Sequence, residues 1–208
     1  MPTSALQVAR TGLEAQDARM RVIANNLANV GTTGFKRDRA NFATLAYQDA
    51  RVAGQRSSGE TAYAEGLNLG TGVAVQSTSQ IMTQGTLDTT GNAFDLALDG
   101  DGFFQIAMPG GRTGYTRAGN FTRSAEGQLV TQQGFAVQPE ITVPEGATAI
   151  SIAPDGTVTA TVNGEAEPTE LGQIQIARFT NPAGLQAIGD NFLVETAASG
   201  AAELGVAG

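Results

Sequence analysis

The hydrophobic pattern of this 208-residue chain changes period once, at the glycines Gly31 and Gly34. Before them, from Ser4 to about Asn29, the apolar residues alternate at spacings of three and four, as in a coiled-coil seam. The seam consists of Leu6, Ala9, Leu13, Gln16, Met20, Ile23, Leu27 and Val30, and Gln16 is its polar member. The pattern predicts one long amphipathic helix, and Ser4 and Gln7 have the spacing of a capping box at its start.

A helix of this kind needs a partner, because an isolated amphipathic helix of this length is marginally stable in water. Two interpretations remain open: the seam lies on the domain that follows it, or it pairs with another helix. No later segment of the chain has a matching helical period. That absence favours a partner from outside these 208 residues.

After the glycines the pattern becomes that of strands. Gly31 and Gly34 tolerate positive φ and end the helix. Residues 35–50 suit a short helix or a strand, and residues 51–66 are polar and Gly/Ser-bearing, as in a loop. From about Leu67 short alternating runs follow, and turn signals such as Pro154-Asp155-Gly156 and Asn163-Gly164 separate them.

The predicted strands cover residues 72–77, 93–100, 103–107, 128–139, 141–144, 150–168, 172–179 and 191–196, with 181–191 as a longer loop. The predicted fold is therefore mainly β with an N-terminal α-helix, an antiparallel β-sandwich or barrel-like domain carried on a long amphipathic helix. We divide it into a helix (1–30), a connecting segment with an extended loop (31–70) and a β-rich domain (71–208).

Composition excludes most enzyme chemistry. The chain has no His, Cys or Trp, so it lacks disulfides, Cys or His nucleophiles, His general bases and the ordinary ligands for zinc, copper or haem. We expect no catalytic residues, no cofactor and no metal. No apolar window reaches the length of a transmembrane helix and the N-terminus has no secretory signal pattern, so we expect no membrane insertion.

Charge is unevenly distributed along the chain. Residues 1–56 carry a net charge of +4, and residues 57–208 carry −12. We expect no nucleic-acid partner, because an acidic body repels phosphate and the basic part lacks interleaved aromatic residues.

Four motifs have competing interpretations. Asp99 and Asp101 resemble the start of a calcium loop, but a tight Asp-Gly turn fits the flanking alternation better. The glycines of 66–75 match no nucleotide-binding loop and shape a turn. The remaining sets are arginines that either form an anion site or are solvated (Arg112, Arg117 and Arg123), and asparagines that either cap the helix or bond a neighbouring chain (Asn25, Asn26 and Asn29).

The stretch "NNLANVGTTGFKR" (25–37) resembles the N-terminal signature of the bacterial flagellar rod and hook family, in which a helix ending in N-N-[LI]-[AS]-N precedes T-G-[FY]-K. "FDLALDGDGFFQI" (94–106) and "YTRAGNFTRSAEGQLVTQQGFAVQP" (115–139) resemble the β domain of that family. Residues 45–75 are similar in length and content to the segment typical of its distal-rod members. Proximal rod and hook subunits are the nearest alternatives, and a β-rich glycan-binding module is a more distant one.

The resemblance implies a structural subunit that polymerises helically, not an enzyme. Its expected partners are copies of itself, neighbouring rod and hook proteins, and surrounding ring proteins. It also implies export through the flagellar type III apparatus without a cleaved signal peptide, to a rod that crosses the periplasm. In the family the N-terminal helix pairs with a C-terminal helix in an inner tube, the β domain lies outside, and the loop around Tyr47 to Gly66 carries contacts between subunits.

The resemblance also assigns roles to residues of this chain. Helix packing is expected of Leu6, Ala9, Leu13, Met20, Ile23 and Leu27. The junction motif consists of Asn25, Asn26, Asn29, Gly34, Phe35, Lys36 and Arg37. Together with Arg39, Lys36 and Arg37 form a basic cluster that we expect to meet the acidic β domains of neighbouring subunits.

The chain departs from the family at its end, "ETAASGAAELGVAG", where family members continue into a C-terminal helix. We therefore expect a fragment truncated near residue 208, largely monomeric and with a frayed first helix.

Overall fold

The computed structural model describes residues 2–56, 58, 60–162 and 167–206. Contacts divide the chain into two compact units. Unit 1 comprises Met1–Val30 and Arg37–Ile81, and unit 2 comprises Gly31–Lys36 and Met82–Gly208. This grouping differs from the three segments predicted from the sequence. It does not test the division into inner helix, connecting segment and outer domain, which stays a prediction.

Unit 1 contains the helix α1 and four strands. The helix spans Pro2–Ala28, so Ser4 lies inside its first turn and the predicted capping box at Ser4 is wrong. A proline suits the first helical position, because its missing N–H would have no partner there. The strands are β1 (Asp38–Thr44), β2 (Tyr47–Arg51), β3 (Leu67–Gly70) and β4 (Val73–Gln80).

The strands of unit 1 form two antiparallel pairs, β1 with β4 and β2 with β3. The register of β1 and β4 shifts at a bulge between Asn41 and Phe42. Residues 35–50 are thus mostly strand rather than helix, and the described part of 51–66 is mainly the loop between β2 and β3.

The helix α1 lies on β1 and β4 through a face of small and polar residues. Its less exposed positions include Thr11, Ala15, Ala18, Val22 and Asn26, which recur at helical spacing. Ala15 is buried, and the N–H of Val73 donates to Thr11 Oγ1 at 3.4 Å. Gly72 has φ +125° and leaves no space for a Cβ beside Thr11. The face that contacts the strands is therefore a different one from the predicted seam.

Unit 2 is built from antiparallel strands and one short 3₁₀ turn at Pro182–Gly184 within the described residues. The strands are β5 (Phe103–Met108), β6 (Arg112–Thr116), β7 (Thr122–Arg123), β8 (Leu129–Val130), β9 (Val137–Gln138), β10 (Ala147–Ile152), β11 (Thr157–Val162), β12 (Thr169–Gln173), β13 (Gln175–Arg178), β14 (Gln186–Gly189), β15 (Phe192–Val194) and β16 (Glu203–Val206).

The largest sheet has the order β14-β15-β6-β5-β13-β16, and β9 also pairs with β5. A second sheet has the order β10-β11-β12, and β7 pairs with β8. These pairings are antiparallel, as predicted, and no sheet in the described part of the chain closes into a barrel.

Two hydrophobic cores hold unit 2 together. The larger one combines Phe104 and Ile106 of β5 with Val158 of β11, so both main sheets contribute to it. The smaller one includes Phe103 and Tyr115. Phe103 and Phe104 belong to different cores because successive side chains of a strand point to opposite faces.

Three sequence predictions for unit 2 are wrong. Residues 93–100 and 141–144 make isolated bridges rather than strands, at Asp95 and Thr142. Their alternation arises because an extended segment can pack one side on a core without joining a ladder, as Phe94 and Leu96 do. The 181–191 segment, predicted as a loop, contains β14. Gly156 has φ +81° in the predicted turn, and the predicted turn at 163–164 lies outside the described residues.

Replacing Ala15 with Leu should destabilise unit 1 by about 1–3 kcal/mol, because three extra heavy atoms must fit where α1 meets the strands. Urea unfolding followed by far-ultraviolet circular dichroism measures the change. The matched control is Ala24→Leu, the same substitution at an exposed position of the same helix, where a change within about 0.5 kcal/mol is expected. Equal losses from both substitutions would contradict the packing of α1 through its small-residue face.

Candidate assembly surface and junction

The predicted seam is an exposed apolar stripe along α1 and the two residues after it. Its six large apolar side chains (Leu6, Leu13, Met20, Ile23, Leu27 and Val30) are between 54% and 81% exposed. Ala9 and Gln16, the two small or polar members, are exposed as well. A continuous stripe of this kind is characteristic of a surface that another protein segment covers.

Ion pairs lie beside the seam rather than on it. Arg10 Nε contacts Glu14 Oε1 at 2.9 Å, and Arg21 Nη2 contacts Asp17 Oδ2 at 2.7 Å. Both pairs span one helical turn and are well exposed, so each stabilises the helix by only a few tenths of a kcal/mol. The apolar positions of the seam therefore carry no charged side chains.

The asparagines at the end of α1 bond within the chain. Asn26 Nδ2 donates to the carbonyl oxygen of Asp38 at 2.8 Å, and the N–H of Asp38 donates back to Asn26 Oδ1 at 2.9 Å. Asn29 Nδ2 donates to the carbonyl oxygen of Asn25 at 2.9 Å. The contacts of Asn26 join the last turn of α1 to the start of β1, which favours the intrachain interpretation. Burial raises the pKa of Asp38 at this point.

Gly34 in the signature is fixed by backbone contact within unit 2. It has φ +73°, and a Cβ at this position would lie 2.5 Å from the amide nitrogen of Ala118 and 2.6 Å from the carbonyl carbon of Arg117. No residue with a side chain fits there without moving backbone atoms. The neighbouring Phe35 is half-buried, and its N–H donates to the Thr32 carbonyl oxygen at 3.2 Å.

The basic residues that follow differ in their surroundings. Lys36 is half-buried, and its Nζ donates to the carbonyl oxygen of Thr83 at 2.7 Å. Burial, and then the nearby charge of Arg117, lower the pKa of Lys36. Arg37 and Arg39 are exposed. Lys36 therefore has an intrachain contact, whereas the two arginines present their charge to solvent.

Arg117 is a structural clamp rather than part of an open anion site. Its Nε donates to the carbonyl oxygen of Gly102 at 2.8 Å, Nη1 donates to Gln84 Oε1 at 3.1 Å, and Nη2 donates to the carbonyl oxygen of Gly100. It thereby fixes the Asp-Gly stretch that resembles a calcium loop. Arg112 and Arg123 are exposed on β6 and β7.

The remaining candidate sites are accounted for by backbone structure. The described part of the chain contains no cluster of three or more acidic, His or Cys residues placed to hold a metal ion. The glycine-rich stretch 66–75 forms β3, the turn at Gly72 and the start of β4.

Some residues were missed by the sequence prediction. The small-residue face of α1 lies at positions 11, 15, 18, 22 and 26. Its signal in the sequence is that these positions recur at helical spacing. Arg117 and Asn191, whose Nδ2 donates to the carbonyl oxygen of Thr33 at 3.0 Å, left no local signal.

Replacing Gly34 with Ala should destabilise unit 2 by about 2 kcal/mol or more, because it combines positive φ with displacement of the backbone at Ala118. Thermal or urea unfolding measures the loss. Gly31→Ala is the control, since nothing lies within 4 Å of a Cβ built there. Equal stability of the two variants would contradict the close approach.

Two regions of the chain match known protein families. Residues 6–36 match the family described as flagella basal body rod protein, and residues 97–160 match the flagellar hook protein FlgE/F/G D1 domain. The first match contains the seam and the junction motif up to Lys36, and the second lies within unit 2. No helix in the described part of the chain combines the length and apolar character needed to span a membrane.

Similar rod proteins align over nearly the whole chain, and a hook protein aligns over part of it. The flagellar basal-body rod protein FlgG of Buchnera aphidicola subsp. Acyrthosiphon pisum is 49% identical over 94% of this chain and 75% of its own length. FlgG of Caulobacter vibrioides is 47% identical over 98% of this chain and 78% of its own length. The flagellar hook protein FlgE of Helicobacter mustelae is 40% identical over 62% of this chain and 28% of its own length. The chain therefore belongs to the family of flagellar basal-body rod proteins represented by FlgG.

Proposed function

We propose that the chain is a structural subunit of the distal rod of the bacterial flagellar basal body and that α1 assembles the polymer through its exposed seam. The observation that carries this proposal is that α1 already packs on β1 and β4 through one face while six large apolar side chains remain exposed on its seam. A contact between subunits removes these side chains from water. This burial stabilises the contact by about 25 cal/mol for each square ångström of apolar surface buried. The occupant we propose is a helix of the assembled rod.

The relatives support the rod over the hook. The rod proteins cited above match 94–98% of this chain and about three quarters of their own length, whereas the hook protein matches 62% and 28%. The proximal rod and the hook remain the alternatives within the family. A glycan-binding module is not supported, because family membership and the exposed helix seam both point to assembly.

A polymer subunit acts through its contacts with other subunits and not by catalysis. We therefore propose that the chain is not an enzyme. We further propose that it binds copies of itself, neighbouring rod and hook proteins and the surrounding rings. Export through the flagellar type III apparatus without a cleaved signal peptide, and a position crossing the periplasm, complete the proposal.

The ribbon of β2 and β3 supports a second contact region. Tyr47, Val52, Leu67 and Leu69 are exposed large side chains on or beside this ribbon. A two-stranded ribbon is marginally stable alone. We propose that neighbouring subunits cover it in the rod.

The charges support an electrostatic contribution from the junction. Unit 2 has five basic and fourteen acidic residues, and its stretch from Ser124 to Ala177 has seven acidic residues and no Lys or Arg. Arg37 and Arg39 are exposed cations in unit 1. We propose that these two arginines face the acidic unit 2 of a neighbouring subunit.

The seam can be tested by replacing Leu13 and Met20 with Glu in the natural gene. The chain should fold normally, because both side chains are exposed, but rods should not assemble, because the seam would bury two charges. Electron microscopy of isolated basal bodies and swimming motility measure assembly, and circular dichroism of the purified protein measures folding. The control introduces the same charges off the seam, at the exposed positions Ala5 and Ala24. Normal rods in the Leu13 and Met20 variant would refute the seam as an assembly surface.

The electrostatic contact can be tested by replacing Arg37 and Arg39 with Ser. Polymer formation should weaken, and most strongly at low ionic strength, where salt screens the attraction least. Light scattering across a salt series measures the effect. The control variant, Arg112→Ser with Arg123→Ser, makes the same change in net charge at exposed positions elsewhere. Assembly equal to wild type at every ionic strength would contradict the proposed contact.

A further inference from the structure

The junction segment 31–36 is part of unit 2 although the chain on both sides of it belongs to unit 1. The chain thus passes from unit 1 to unit 2 after Val30, returns after Lys36 and passes over again after Ile81. A segment of six residues between two crossings has no strand or helix of its own to hold it. Its place in unit 2 depends on side-chain and backbone contacts.

Contacts within unit 2 hold the segment, and three of them involve Gly34, Lys36 and Asn191. Gly34 lies directly against the backbone of Arg117 and Ala118. Lys36 Nζ donates to the carbonyl oxygen of Thr83 at 2.7 Å. Asn191 Nδ2 donates to the carbonyl oxygen of Thr33 at 3.0 Å across 158 positions of sequence.

Asn191 occupies a position where glycine would be less strained. It is the second residue of the two-residue turn between β14 and β15, with φ +59°, and Asp190 before it has φ +51°. Such turns favour Asn-Gly, with glycine at the second position. The backbone of the hairpin therefore does not require an Asn side chain at 191. The hydrogen bond to the carbonyl oxygen of Thr33 does require it, because Asn191 Nδ2 is the donor.

We propose that residues 31–36 form a latch that unit 2 holds closed, and that Asn191 is the positioning residue that closes it. With the latch closed, residues 31–36 are held in unit 2 and do not act as a flexible linker. With the latch open, about six residues become a flexible linker with a root-mean-square span of about 13 Å. In a rod subunit, a consequence that rests on the proposed function, a closed latch shortens the flexible part of the chain between the two units.

Each contact of the latch has the strength of an ordinary hydrogen bond or packing contact, so losing one changes the open population several-fold rather than unfolding the unit. Amide hydrogen exchange detects such local opening. The reporter is the peptide containing Phe35, whose N–H donates to Thr32 within the latch. A peptide covering β5 reports on the rest of unit 2.

The experiment compares the purified chain with its variants Asn191→Asp and Asn191→Gly by hydrogen exchange and mass spectrometry. Asp keeps the size and the tolerance of positive φ but, when ionised, cannot donate to Thr33. Gly relieves the turn strain and removes the donor. In both variants the Phe35 peptide should exchange about fivefold faster, the effect of losing one hydrogen bond of ordinary strength, while the β5 peptide exchanges as in wild type.

The control is Asp190→Gly, which changes the other turn position and keeps the donor at Asn191. It should leave exchange of the Phe35 peptide unchanged. If Asn191 served only the turn, the Gly variant would exchange at or below the wild-type rate, and that result would overturn the proposal. Equal acceleration in the Asp190 control, or wild-type exchange in Asn191→Asp, would also overturn it. None of these outcomes depends on rod assembly, so they are separate from the test of the proposed function.

Discussion

The packing of α1 through small side chains determines what the rest of unit 1 can do. Ala15 and its neighbours at helical spacing allow the helix to approach β1 and β4 closely, and Gly72 accepts Thr11 where any Cβ would collide with it. A helix held this way needs no large side chain toward its own strands. Its large apolar residues are consequently left on the other face, where water surrounds them in a single chain. The intrachain contact and the exposed seam are two results of one distribution of side-chain size around the helix.

The features that could be predicted from the sequence are those with a local cause. The seam was visible because large apolar residues recur at three and four, and the end of the helix was visible because Gly31 and Gly34 interrupt that period. The small-residue face was missed because alanine, threonine and asparagine contribute little to a hydrophobic pattern, although they determine which face packs. The strand predicted at 93–100 was wrong for a related reason: alternation reports which side chains pack on a core, as the half-buried Phe94 does, and not whether the backbone joins a ladder.

The contacts at the junction lie beyond any local pattern. Arg117 reaches the carbonyl oxygens of Gly100 and Gly102, and Asn191 reaches Thr33, so each depends on a fold that brings distant segments together. Gly34 is intermediate between the two cases. Its tolerance of positive φ was predictable, but the approach of the Ala118 backbone was not. The helix itself ends at Ala28, and Gly34 lets residues 31–36 pack within unit 2.

The basic residues of the signature illustrate why charge alone does not identify an interface. Lys36, Arg37 and Arg39 form one cluster in the sequence, but desolvation is unequal among them. Lys36 has lost part of its hydration and gained a carbonyl partner, and its pKa is lowered, so moving it into a subunit contact would require breaking an existing bond. The exposed arginines keep their hydration and their long-range field. Any attraction toward the acidic unit 2 of a neighbour must therefore come mainly from Arg37 and Arg39, while Lys36 serves the fold.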